Sequence, residues 1–403
     1  MIMKNLKRIL TVALIITFAV VALIPLSGVF ATSKKQLVVW SHLTQDEVKA
    51  LQPIADKWGK ENGYTVKVIT DQGSFQSFQT AAMSGKGPDI MFGIPHDNLG
   101  AFWKAKLLEA VPANLIDKKN FVSTALDACS FEGKLYALPI AMETYALFYN
   151  TSKVKEAPKT MSQLITLAKK YGFMYDVNNF YFSFAFIAQN GGYVFKNKGG
   201  SLDPNDIGLA TNGAIKGLSL IRDFVQTYKF MPKDIKGDIA KGNFQNQKIA
   251  FYISGPWDVQ DFIKAKVPFA VAPLPKTDDG KPTPSFVGVQ AAFVSAKSKN
   301  KDAAFKLMKY LVENSALTLF KVGHRIPVLN KVLTSSEVKA DKIMSAFAEQ
   351  AKVGIPMPNI PEMSAVWPVA NNALSLITTG KATPKQAADA MVKQIKQGIA
   401  QMQ

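Results

Sequence analysis

Two carboxylates and a few broad aromatic faces are the residues of this sequence best equipped for chemistry. Trp367 lies in Met357-Pro-Asn-Ile-Pro-Glu-Met-Ser-Ala-Val-Trp-Pro-Val-Ala-Asn371, where Pro358 and Pro361 predict extended backbone and an Ala/Leu/Ile-rich helical pattern resumes from about Ser364. That sets the indole near the mouth of a helix. It is either a core anchor or a stacking face, and the electron-rich indole face suits the weakly positive C–H patches of a pyranose ring. Trp257, in Ser254-Gly-Pro-Trp-Asp258, is a second aromatic, presented at the carboxyl end of a predicted strand. Asp97 follows a short strand at 89–92 and precedes a helix bearing Leu99, Phe102 and Trp103, which makes it the N-cap of that helix, a ligand contact, or both. Glu143 is the single carboxylate of an apolar strand, 140–150; such a group faces a cleft or pairs with a basic neighbour. His42, His96 and His324 have no metal-site spacing, so no metal is assigned. A ferric site would need clustered tyrosinates, and Tyr145, Tyr149 and Tyr181 read more simply as core or stacking residues.

The elements that must position these groups follow an α/β rhythm. Residues 36–40 and 64–69 read as strands, with a helix between them opened by a Thr44/Glu47 capping box and kinked or delayed by Pro53. A helix at 75–83, the breaker Gly85-Lys-Gly-Pro88 and the strand at 89–92 complete a lobe with a largely parallel sheet, whose ligands would lie beyond the strands' carboxyl ends. A hairpin turning at Glu132-Gly133 feeds the strand of Glu143, after which the pattern restarts with helices at 160–171 and 181–189. This restart marks a second lobe. It continues through a helix at 211–228 and strands at 248–254, 269–275 and 286–294; from Asn300 the chain is mostly helical, ending in a helix with Thr383 as N-cap and Pro384 at N1.

Composition limits the classes open to the chain. With 403 residues, 48% of them hydrophobic and 19% charged, it is large and apolar enough for two ordered lobes. Lys4, Lys7 and Arg8, an apolar run from Ile9 to Leu26 and the small residues before Thr32 read as a secretory signal over 1–31, cleaved before Thr32; an uncleaved anchor is the rival. Cys129 is the single cysteine, which excludes an internal disulfide and leaves no cysteine just after the signal for acylation, so a soluble product that is not a lipoprotein is expected. The net charge of +18 rests on lysines scattered along amphipathic helices, a pattern that fits attraction to an anionic envelope surface or simple solvation better than nucleic-acid binding.

Five segments, in order, carry a resemblance: Gly87-Pro-Asp-Ile-Met-Phe92, Leu138-Pro-Ile-Ala-Met-Glu143, Gly191-Gly-Tyr193, Ser254-Gly-Pro-Trp257 and the stretch 357–367. Together the mature chain resembles the maltose/maltodextrin-binding protein family, the extracytoplasmic sugar-binding components of ABC importers. The resemblance implies a two-lobed α/β periplasmic-binding-protein fold with hinge crossovers near Ala141, Gln290 and Leu329 and a helical C-terminal region. The lobes would be 32–141 with 290–330, and 142–289 with 331–403. It also implies Asp97 and Glu143 as hydroxyl acceptors, and Tyr181, Trp257 and Trp367 as stacking platforms.

This sequence departs from the enteric maltose binder in having Asn179 for a Glu, Asn98 and Asn371 for Arg, and Gly93-Ile94 where that protein has a Trp. An amide accepts hydrogen bonds less strongly than a carboxylate, so polar clamping would be weaker and one stacking wall is missing or supplied from elsewhere. The expected protein is a periplasmic or extracellular monomer without cofactor or nucleic-acid partner. It would take maltose or maltodextrin, with trehalose and cyclodextrins behind, and deliver them to a membrane permease. Another oligosaccharide, or a secreted glycoside hydrolase using Asp97 and Glu143, is the alternative.

Overall fold

The computed structural model describes residues 35–71 and 73–402, so the signal over 1–31 and its cleavage lie outside the described residues. The first helix, Gln45–Asn62, starts on the expected capping box: the Thr44 hydroxyl accepts from the Glu47 amide, and the Glu47 carboxylate accepts from the Thr44 amide. It runs unbroken through Pro53, which neither ends it nor delays its start. Its apolar stripe, Val48, Leu51, Ala55 and Trp58, is buried.

The larger sheet runs in the order Ile326–Pro327, Leu138–Thr144, Phe286–Val294, Ile90–Pro95, Lys35–Ser41, Tyr64–Thr70, with Ile355–Pro356 beside Phe286–Val294. The expected largely parallel sheet is instead mixed. Lys35–Ser41 and Ile90–Pro95 are parallel, but Phe286–Val294 returns from the second half of the chain and enters antiparallel between Ile90–Pro95 and Leu138–Thr144. A strand that arrives from another lobe has no crossover helix to set its direction. The smaller sheet, Phe269–Ala272, Ala146–Asn150, Phe251–Ser254, Phe173–Met174, is also mixed. The hairpin turns at Glu132 and Gly133, both with positive φ.

Buried apolar side chains fall into two separate cores. One gathers Leu37, Phe92, Phe102, Leu138, Ala141, Val289, Phe293, Leu311 and Leu329; the other gathers Tyr145, Phe148, Phe180, Phe224, Phe251, Phe286, Phe347, Leu374 and Ile395. Allegiance switches between Ala141 and Tyr145 along one strand and between Phe286 and Val289 along another. After the long helix Lys301–Gly323 come five further α-helices, and allegiance switches a third time between Leu329, in the first core, and Val338, in the second. The last, Pro384–Ala400, has the Thr383/Gln386 capping box with Pro384 in its first turn. Among the described residues no helix is long and apolar enough to cross a membrane.

Candidate functional site

A cavity of about 880 Å³ lies where the two cores meet, and all eight residues singled out from sequence line it: Asp97, Asn98, Glu143, Asn179, Tyr181, Trp257, Trp367 and Asn371. The fold brings them together through strand ends. Lys35–Ser41 delivers His42 to Thr44, Ile90–Pro95 delivers Asp97 and Asn98, and Phe251–Ser254 delivers Trp257. Carboxyl ends of strands from both sheets therefore face one space.

Asp97 sits in a 3₁₀ turn, His96–Asn98, and caps nothing: the following helix Leu99–Lys104 has no side-chain cap. Its carboxylate instead accepts from the indole N–H of Trp367 at 3.0 Å and, at 3.4 Å, from the Asn98 amide, whose N–H also reaches the Pro95 carbonyl. Of the roles open in the sequence, the capping one fails, and the side chain lines the cavity. Asp97 is 8% exposed. Loss of water pushes its pKa up to about 7, with the Trp367 hydrogen bond pulling down and the Glu143 charge adding to the rise.

That shift has a sign. Below about pH 4 the carboxyl is protonated both folded and unfolded; between about 4 and 7 only the unfolded chain has released the proton, so folding loses stability as pH rises through this window. Asp97→Asn removes the slope, so wild-type and variant denaturation midpoints should diverge between pH 4.5 and 7.5. Parallel midpoints would mean that water reaches the carboxylate in the folded protein.

Trp367 is the second residue of the helix Val366–Thr378 and packs edge-on to Phe180 and Phe286, both at 5.9 Å between ring centroids. Pro361, expected to hold the chain extended, instead opens a 3₁₀ turn, Pro361–Ala365, that leads into this helix. Trp257 leans over Tyr181 and Phe182, at 6.3 and 6.4 Å. Gly255 permits this, since a Cβ there would come within 2.2 Å of the indole. The next residue, Asp258, is anchored by the hydroxyls of Tyr252 and Ser254 and by Lys241.

Two of the three asparagines expected to soften the polar clamp have a structural duty as well. Asn179 caps the helix Phe180–Ala188 through the Tyr181 amide, and Asn371 accepts from the Phe180 amide at 2.8 Å. Their carbonyl oxygens are thus engaged by the helix start. The wall absent at Gly93 is filled by Leu43: a Cβ on Gly93, at φ +89°, would lie 2.4 Å from Leu43 Cγ. A further aromatic lines the cavity instead. Phe75, 40% exposed, stacks edge-on against His42.

Glu143 both faces the cavity and pairs with a base, and that base was not legible from local pattern. Arg325 donates to Glu143 through Nη1 and grips Glu47 through Nε at 2.5 Å and Nη2 at 3.1 Å, while Gln290 donates to Glu143 at 2.7 Å. His96 was missed too. Fully buried, it accepts from the Val289 amide at Nδ1 and donates from Nε2 to the Met357 carbonyl, both at 3.0 Å, which requires the neutral ring; burial pushes its pKa down to about 4. It ties the segment before Trp367 to the central strand. The Tyr181 hydroxyl and Gln290 Oε1 are buried with no partner among the described residues. Unpaired polar atoms in a lined cavity are what a polyhydroxylated ligand would satisfy. Among the described residues no group of three or more His, Cys, Asp or Glu could hold a metal ion.

Comparison with known proteins narrows the class. Residues 53–346 match the family model described as bacterial extracellular solute-binding protein. The galactooligosaccharide-binding protein of Bacillus subtilis is 32% identical over 370 residues, covering 88% of this chain and 87% of that one. A maltooligosaccharide ABC transporter solute-binding lipoprotein of Streptococcus pneumoniae is 32% identical over 368 residues, covering 87% and 86%. Among solved structures, the maltose-maltodextrin binding protein of Alicyclobacillus acidocaldarius is similar with a TM-score of 0.87 at 39% identity, covering 90% of this chain and 100% of that one.

Proposed function

This chain belongs to the bacterial extracellular solute-binding protein family, and we propose that its cleft takes up maltose or a maltodextrin and presents it to the membrane permease of an ABC importer. The family is one of binding proteins, so the protein is not an enzyme; in this reading Asp97 and Glu143 serve as hydroxyl acceptors. The supporting observation is the make-up of the cavity: the rings of Tyr181, Trp257 and Trp367 stand with the carboxylates of Asp97 and Glu143 around one space. A pyranose offers apolar faces to such rings and equatorial hydroxyls to such carboxylates. About 880 Å³ lies high in the roughly 300–1,000 Å³ span of small-molecule sites, which favours an oligosaccharide over a single hexose.

In this reading the two cores are the bodies of two lobes, 32–141 with 290–330 and 142–289 with 331–403. The three crossovers bend as the ligand docks, and the loaded closed form is the one the permease recognises. At the cleft rim Asp46 pairs with Lys264, joining a helix of one lobe to a helix of the other. The protein works outside the cytoplasmic membrane. We read it as released by cleavage before Thr32, whereas the pneumococcal relative is a lipoprotein; Cys129, the single cysteine, is buried and stands far along the sequence from that position. The mass of the mature N-terminus checks this.

Titration of tryptophan fluorescence with maltose, maltotriose, a cyclodextrin, trehalose and a galactooligosaccharide tests the ligand. Trp257 and Trp367 lie in the cavity wall, so a saturable change with α-glucosides is expected. A response to the galactooligosaccharide alone would move the reading to the ligand class of the Bacillus relative, and silence across the panel would remove the sugar.

A further inference from the structure

The polar network under the cavity floor connects more than the ligand wall. Glu143 lies on the first crossover strand, Leu138–Thr144; Gln290 lies on the second, Phe286–Val294; Arg325 lies between Lys301–Gly323 and Ile326–Pro327, in the segment that leads into the third. All three meet at the Glu143 carboxylate, with Gln290 donating to one oxygen and Arg325 to the other. Arg325 is 4% exposed, and Glu47, which grips its other edge, lines no part of the cavity. Gly323 makes room for that grip: a Cβ there would fall 2.1 Å from Glu47 Oε1. A guanidinium forked onto one carboxylate has its plane fixed, so the direction in which it meets the second carboxylate is fixed too.

We propose that Arg325, held by Glu47, is the positioning residue of this cleft: it keeps Glu143 aimed at a ligand hydroxyl, and ties that acceptor to the first two crossovers and to the segment that leads into the third. The ligand's chemistry rests on the oligosaccharide reading above; the network does not. The titratable groups facing Glu143 are Arg325, Glu47, Asp97 and Tyr181. Burial raises the Glu143 pKa, and the Arg325 charge is the largest influence opposing that rise. Without Arg325 the carboxyl would keep its proton to higher pH, and a neutral carboxyl, with one oxygen turned into a donor, is a weaker acceptor than the carboxylate. The unpaired Tyr181 hydroxyl and Gln290 Oε1 would then flank a poorer acceptor for a ligand hydroxyl.

The test is a double-mutant cycle on the full chain, read by calorimetry with maltotriose at pH 7.5. Arg325→Met and Glu143→Gln are each expected to weaken binding about thirtyfold, and the double variant to lose no more than the worse single. Arg325→Lys should recover part of the loss. Additive losses, or an unchanged affinity in Arg325→Met, would overturn the proposal.

A ligand-free readout stands beside it. In protein labelled with ¹³C at glutamate carboxyls, the Glu143 resonance, identified by its absence in Glu143→Gln, should titrate at higher pH in Arg325→Met than in wild type. Equal titration in both would overturn the positioning role even if no sugar of the panel binds, whereas silence toward sugars with a shifted titration would sink only the oligosaccharide reading. Should Arg325→Met fail to fold, Arg325→Lys, which keeps the charge and loses the fork onto Glu47 and Glu143, is expected to show the same upward titration to a smaller degree. No shift there would count equally against the proposal.

Discussion

Replacement of Trp367 by alanine is expected to weaken oligosaccharide binding about a hundredfold while the protein still unfolds in a cooperative transition. The indole contributes in two ways. Its face is a platform for a sugar ring, and its N–H donates to the Asp97 carboxylate at 3.0 Å, holding that acceptor in place. A hydrogen bond to a charged group contributes about 1.5–3 kcal/mol and an aromatic contact about 0.5–1.5 kcal/mol, so a loss near 3 kcal/mol is in proportion. Trp367→Phe separates the two: it keeps a ring against Phe180 and Phe286 and lacks the donor, so its affinity should fall between wild type and alanine. Calorimetric titration of the three proteins decides the matter. Wild-type affinity in the alanine variant would show that the ring is only core.

Gly100→Val should give the largest loss of stability among single changes near the site. A Cβ at this position would stand 2.2 Å from the Asn359 carbonyl oxygen, 2.7 Å from the Ile360 carbonyl carbon and 2.8 Å from the Pro361 nitrogen. These are main-chain atoms, so no rotamer relieves the clash. The segment 357–367 must retreat, carrying the Met357 carbonyl from His96 and the Trp367 indole from Asp97. Overpacking of this kind costs about 1–3 kcal/mol or more, and here affinity should fall with stability. Gly242→Ala, inside the helix Gly237–Gln245 with nothing within 4 Å of the new carbon, is the matched control and should stabilise by about 0.5–1 kcal/mol. Denaturant midpoints of both variants make the comparison; a Gly100→Val protein as stable as wild type would mean that the segment yields at no cost.

Much of the site could be read from the sequence because its signals are local. Capping at Thr44, Thr160 and Thr383 depends on residues three apart, and all three hydroxyls accept from the backbone amide three residues on. The cavity positions lie in short segments with their own turn chemistry, such as Gly255-Pro-Trp257. The remainder depends on contacts distant in sequence. Arg325 meets Glu143 across 182 residues and Glu47 across 278, and no periodicity encodes such a meeting. One compositional sign pointed to it. The chain has only three arginines, Arg8, Arg222 and Arg325, among 48 basic residues, and Arg325 precedes the apolar Ile-Pro-Val-Leu run. A chain that covers its surface with lysine and places an arginine beside such a run has a use for a planar, forked donor. Sheet direction was misjudged for a related reason: the antiparallel strand Phe286–Val294 enters from the far lobe, and local pattern does not record the origin of a strand.

Cys129 has a practical consequence. The thiol is completely buried in the core that holds Phe102 and Leu138, burial pushes its pKa upward, and Cys129 is the single cysteine of the sequence. A thiol-reactive dye added to the native protein can therefore modify only molecules in which that core has opened. The rate of labelling becomes a clock for the breathing of one lobe alone, and the degree to which sugar slows it reports how far occupancy of the cleft quiets the core around a residue that lines no part of the cavity.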